Sequence, residues 1–267
     1  MTTVLGLRLR RPVPALLQAS ALPALGLLIG LGIWGLAVAV LGRSVPILLE
    51  FSPQAGFANL ASGLASGVLV RHAGASLLRV GVGLVLAVLV AVPLGLLLGL
   101  KRRLELTTSA VFQFIRMISP LSWMPIAVMV FGVGDLPVFF LLAIAAIWPI
   151  LLSITTAVRT VDPLYIQVAR SFAAEPLEIV TRIVLPAIRP SLLASLRVAV
   201  GLIWLVLVPA EMLGVSSGLG YLILDCRDRL AYGELTAALL VIGLIGWALD
   251  ALLRRFSFSA TAVPQLS

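Results

Sequence analysis

Histidine and cysteine are the side chains best suited to hold a metal or form a covalent bond, and this chain has one of each. Cys226 has no partner for an internal disulfide, and His72 has no second His or Cys nearby to complete a metal site. Nucleotide hydrolysis needs a glycine-rich loop closing on Lys-Ser or Lys-Thr, but the single lysine, Lys101, is followed by Arg102. Neither His-Glu-x-x-His nor Gly-x-Ser-x-Gly occurs, so a membrane hydrolase loses support. Ion coupling by a secondary transporter places ionisable residues at mid-membrane. Arg197 and Glu211 share one apolar run, fourteen residues or about 21 Å apart along a continuous helix, too far to pair within it. The chain therefore carries no catalytic constellation, and whatever work it does draws its energy from elsewhere.

The elements that position these residues are membrane spans. Of 267 residues, 61% are apolar and 11% charged, a ratio from which no water-soluble surface can be built. At about 20 residues per span, the length allows roughly six. The candidates are Leu22 to Leu41, Val80 to Leu100, Met117 to Gly134, Leu136 to Val158, Leu192 to Leu213 and Leu235 to Leu253. The first is longer than the apolar core of a signal peptide and reads as a retained span. Arg197 lies about one turn into the fifth and can snorkel. Gly26/Gly30 and Gly95/Gly99 have the spacing that lets helices approach closely.

Orientation follows from the arginines. With six spans both termini share a side, and that side holds Arg8, Arg10, Arg11, Lys101, Arg102, Arg103, Arg159, Arg170, Arg182, Arg189, Arg254 and Arg255. The positive-inside rule places this side, with both termini, in the cytoplasm. The net charge of +8 is thus topological, not a nucleic-acid footprint. The expected organisation is a tail over 1–21, one transmembrane domain over 22–255 and a tail over 256–267. Two stretches lie outside: Arg43 to Ser76, a loop with a short interfacial helix, and Gly214 to Glu234, whose glycine-rich start lets backbone dip into a protein-lined cavity.

The cytoplasmic segment 159–190 is the most informative. Asp162 before Pro163 is an N-cap followed by proline at the first helical position. Leu164, Val168 and Phe172 recur at four-residue spacing, the piece ends near Glu175, and Pro176 opens a second short helix that Leu185-Pro186 stops. On the residues alone, this helix pair either lies on lipid headgroups or docks a protein.

Its spacing resembles a known loop. Gln167-Val168-Ala169, Ala173 and Ile183-Val184-Leu185-Pro186 fall in register with the EAA loop of ABC importer permeases, written Glu-Ala-Ala, three residues, Gly, nine residues, Ile-x-Leu-Pro. Gln167 replaces Glu, Val168 replaces Ala and Ala173 replaces Gly. Further matches are Ser76-Leu77-Leu78-Arg79-Val80, Ile118-Ser119-Pro120-Leu121-Ser122-Trp123-Met124-Pro125, Trp148-Pro149-Ile150, Ala210-Glu211-Met212-Leu213-Gly214 and Gly218-Leu219-Gly220-Tyr221-Leu222-Ile223. From about His72 to Arg255 the chain resembles the nitrate/sulfonate/taurine/bicarbonate branch of the type I permeases.

That resemblance implies an all-α membrane protein of the type I permease fold with a cytoplasmic coupling helix pair. It implies a multi-pass subunit of the bacterial inner membrane, itself not an enzyme, that imports a small anion or sulfonate. The implied partners are a second permease copy, two ATPases holding the ATP and Mg, and a periplasmic or lipid-anchored binding protein. No cofactor is expected in this chain. The coupling contacts it implies are Gln167, Ala169, Arg170, Phe172, Ala173, Ile183, Leu185 and Pro186. Breaks and aromatics in the spans make Ser119, Pro120, Trp123 and Trp148 candidates for the solute path. Glu211, which would repel an anion in a dry site, is expected at its external mouth or in a structural hydrogen bond. The rival reading is a stand-alone secondary transporter or channel.

Overall fold

The computed structural model describes residues 15–261. Arg8, Arg10 and Arg11 and most of the two expected tails lie outside them. Every described element is a helix: α1 (Ala15–Leu41), α2 (Pro53–Ala65), α3 (Val68–Leu100), α4 (Arg102–Arg116), α5 (Met124–Phe131), α6 (Asp135–Thr160), α7 (Pro163–Ser171), α8 (Pro176–Ile179), α9 (Leu185–Met212), α10 (Leu219–Asp228) and α11 (Tyr232–Thr261).

The core is made by α3, α6 and α9, and small residues decide how closely they pack. Gly83, Ala87, Ala91, Gly95 and Gly99 recur every four residues and form one face of α3. A Cβ at Gly83, Gly95 or Gly99 would come within 3 Å of Leu142, Ile154 or Val158 of α6. The close approach also lets Thr155 reach the Gly95 carbonyl, with its Oγ1 at 3.4 Å. Ala199, Ile203 and Leu207 of α9 complete the core. A Cβ at Gly26 or Gly30, by contrast, would meet nothing within 4 Å among the described residues.

Four helical runs are long and apolar enough to cross a membrane: Val68–Leu100, Asp135–Thr160, Pro176–Met212 and Tyr232–Arg255. The span expected over Met117 to Gly134 is not straight. Pro120 forces Ser119 into an extended conformation (φ −55°, ψ 132°), and α4 and the Pro120–Phe131 piece meet at a bend of 86°. Together they make at most one broken span. A break at Pro120 is expected from the sequence; the size of the bend and the use of α4 as its other arm are not, because proline marks an interruption without fixing its angle. The described apolar part of α1, Leu25–Leu41, is shorter than a full span. It is held to the rest partly by the Trp34 indole, which donates to the Phe51 carbonyl at 3.0 Å.

Leu185-Pro186 does not stop the helix begun at Pro176. A π turn over Val180–Val184, closed by the Leu185 N–H on the Val180 carbonyl, carries the chain past Pro186 into α9. The wider turn relieves the clash that a proline ring makes with the carbonyl four residues back. The result is one 37-residue rod, Pro176–Met212. Nor does Arg197 need to snorkel alone: its Nε donates to Asp250 Oδ1 of α11 at 2.9 Å.

Candidate functional site

The two ends of the rod carry different chemistry. At the end bearing Lys101, Arg159 and Arg189, called here the basic end, the chain folds back as the α7–α8 elbow. Asp162 caps α7 by accepting from the Leu164 N–H at 2.8 Å, and Pro163 is the first helical residue. The helix closes earlier than Glu175, in a Schellman motif: the Ala174 N–H bonds the Ala169 carbonyl and the Ala173 N–H that of Arg170. This puts Ala173 at φ +57°, in the left-handed region. The family's glycine at this position thus has a conformational reason, and Ala173 accepts a cost of about 1–2 kcal/mol to hold the same turn. Glu178 accepts from the Glu175 N–H and starts α8.

The elbow is anchored on one face and bare on the other. Ile166, Ala169, Ala174 and Leu185 pack against the core, and Ile179 and Val184 are buried in it. Ile183 is half-buried, whereas Gln167, Arg170, Ala173 and Pro186 are exposed. Leu164, Tyr165, Val168, Phe172 and Leu177 form an uncovered apolar surface, with Phe172 82% exposed.

The opposite end holds a buried charge network. Arg79 of α3 is 3% exposed and Glu211 of α9 is fully buried. The guanidinium Nη1 donates to Glu211 Oε1 at 2.6 Å and to the Ser217 carbonyl at 2.7 Å. Nε and Nη2 both donate to Asp135 Oδ1 at the start of α6, at 2.8 and 2.7 Å, and Nη2 also reaches Ser217 Oγ. These five contacts match the five N–H groups of arginine. Glu211 accepts in addition from Ser76 Oγ at 2.8 Å and from the Gly220 N–H at 2.8 Å. Ser76 Oγ in turn accepts from the Leu219 N–H, and the Gly218 N–H lies 3.1 Å from His72 Nδ1, which stacks on Tyr221.

The turn from Gly214 to Gly220 is what brings backbone to these carboxylates. Gly218 sits at φ +109°, and a Cβ there would fall on the Arg79 guanidinium and the Glu211 carboxylate. A Cβ at Gly220 would collide with the Val208 carbonyl and come within 2.8 Å of Glu211 Cβ. Glycine is thus required at both positions. Arg79, Asp135 and the 212–217 turn line a cavity of about 650 Å³ that also includes Asp225 and Asp228. Cys226, inside α10, is buried; that burial, with Glu234 beside it, pushes its thiol up to about 11 and leaves it unreactive at neutral pH.

The residues expected along a solute path do not converge. Ser119 is exposed at the α4–α5 break, while Pro120 and Trp123 are half-buried beside it. Trp148 packs against Phe112 with the rings tilted at 51° and their centroids 6.0 Å apart, and it lies thirteen residues, about 20 Å, along α6 from Asp135. The buried indole nitrogens of Trp123 and Trp148 have no hydrogen-bond partner among the described residues. Glu211 faces protein on all sides in this conformation. The residues that reasoning on sequence missed are Arg79, Asp135, Ser76 and Ser217. Part of the signal was present, since a glutamate within an apolar run calls for a cation, and Arg79 borders another such run.

Residues 91–258 match the family described as the binding-protein-dependent transport system inner membrane component. The chain belongs to that family. It is an ABC importer permease, a multi-pass inner-membrane subunit of a class that works with ATPase and binding-protein partners. The bicarbonate transport permease CmpB of Synechococcus elongatus is 36% identical over 178 residues, 66% of this chain and 64% of that protein. The nitrate import permease NrtB of the same organism is 32% identical over 238 residues, 83% of each chain. Among solved structures, an inward-facing form of the MetNI methionine ABC transporter superposes with a TM-score of 0.63 at 19% identity, covering 73% of this permease and 96% of that chain. This likeness confirms the type I permease fold.

Proposed function

We propose that this permease forms the translocation path of an ATP-driven importer for a small oxyanion or sulfonate-type solute. Two copies pair as a homodimer, the basic end and both termini face the cytoplasm, and the α7–α8 elbow seats on a separate ATPase that holds ATP and Mg. The observation that carries this reading is the bare apolar face of the elbow, Leu164, Tyr165, Val168, Phe172 and Leu177, next to a stiff, capped turn. Such a surface on a water-facing loop calls for a protein partner. Two capped helices joined to a rod transmit displacement, whereas a loose loop would dissipate it.

The class of solute is supported by the nitrate and bicarbonate relatives. Selectivity is assigned to the binding protein, because every donor of the buried Arg79 is already occupied and the guanidinium has none to spare for an anion. The test is purification of the chain from its native membrane. A nucleotide-hydrolysing subunit co-purifies, and its ATP hydrolysis rises when the cognate binding protein is added. Recovery of an active solute transporter without any such subunit would favour the stand-alone carrier instead.

A further inference from the structure

Toward the basic end, α9 and α11 part to leave a cleft of about 130 Å³. Its walls are apolar, with Val200, Trp204 and Leu205 from α9 and Leu249 from α11, and Gly201 opens its floor. Gly201 has open space where a Cβ would stand, and the Trp204 indole lies against Gly246. Arg197 and Asp250 close one end. Here a single carboxylate serves two guanidiniums: Arg197 pairs with Asp250 Oδ1 and Arg254 with Oδ2, each at 2.9 Å, with all three side chains roughly 40–45% exposed. These three side chains by themselves sum to one positive charge.

Depth decides what can meet that charge. Asp250 and Arg254 lie eighteen and twenty-two residues along α11 from Tyr232, about 27 and 33 Å, against a hydrocarbon thickness of about 30 Å. The cluster therefore sits where lipid phosphates meet acyl chains, and the cleft runs from it into the hydrocarbon. Basic pockets between spans at this level recognise anionic headgroups.

We propose that the α9–α11 cleft seats an anionic phospholipid, its phosphate on Arg197 and Arg254 and the first methylenes of an acyl chain in the slot over Gly201. The test is native mass spectrometry of the purified full-length permease titrated with dioleoyl-phosphatidylglycerol or dioleoyl-phosphatidylcholine. Phosphatidylglycerol is retained more tightly. Arg197→Gln weakens its retention by about fivefold, the effect of one arginine at an anionic surface, and Asp250→Asn, which removes the competing carboxylate, strengthens it. Gly201→Leu, whose Cβ meets open space, narrows the slot and lowers retention at an unchanged melting temperature. Equal retention of the two lipids, a loss in Asp250→Asn like that in Arg197→Gln, or unchanged retention in Gly201→Leu each overturns the proposal. So does a change of oligomeric mass in Gly201→Leu, which would make the cleft an interface between copies.

Discussion

Arg79→Gln destabilises the permease by roughly 3–5 kcal/mol, the cost of leaving a buried carboxylate without its cation. Glutamine cannot supply five donors in a fork, so Glu211 keeps its hydrogen bonds from Ser76 and Gly220 but loses the charge that neutralises it. The loss also frees Asp135 and Ser217, which Arg79 ties to α3. In the double variant Arg79→Gln/Glu211→Gln the orphan charge is gone, so its cost falls well below the sum of the two single variants. Thermal melting of the purified permease measures this, and strictly additive losses would show that the pair is not coupled. Arg79 acts here as a positioning residue: from about three turns inside α3 it pins the start of α6 and the far end of α9 around one backbone turn.

Ala173→Asp abolishes ATPase activity coupled to transport while leaving membrane insertion intact. Aspartate tolerates the left-handed conformation that this position demands, so the Schellman turn survives and the variant differs mainly in a carboxylate placed beside Phe172 at the exposed tip. Ala173→Gly is the control. It relieves the strain at φ +57°, stabilises the turn by about 1 kcal/mol and keeps coupling. ATP hydrolysis by the assembled complex, with and without binding protein, reads both variants. Normal coupling in Ala173→Asp would remove the elbow from the mechanism.

Coupling and pinning are joined by the rod. The elbow continues without interruption from Pro176 to Met212, so a displacement at its basic end arrives at Glu211 and thus at Arg79. The turn that makes this continuity possible is the π turn before Pro186. A sequence pattern reads Leu-Pro as a stop and has no sign for a widened turn.

Local features were the legible ones. Asp162-Pro163 announced its cap, and the Gly95/Gly99 spacing announced a close helix contact, because each depends on residues within a turn or two. The charge network was not legible as a network: Arg79 and Glu211 are 132 positions apart. Glu211 showed as an ionisable residue in an apolar run and Arg79 as one just before another, and nothing local says which two runs lie side by side. At the α4–α5 break the prolines were legible, but the 86° angle between its arms was not, because it is set by what the two pieces pack against.

The elbow's contact with an ATPase is most directly tested by a thiol at its tip. Cys226 is buried and held as a neutral thiol, so Phe172→Cys supplies the reactive one, and a short bismaleimide reports its neighbour in native membranes. The account predicts a crosslink to a nucleotide-hydrolysing subunit whose yield changes when ATP binds. A Phe172→Cys thiol that reacts only with lipid-phase reagents, and joins to no such subunit, would contradict it.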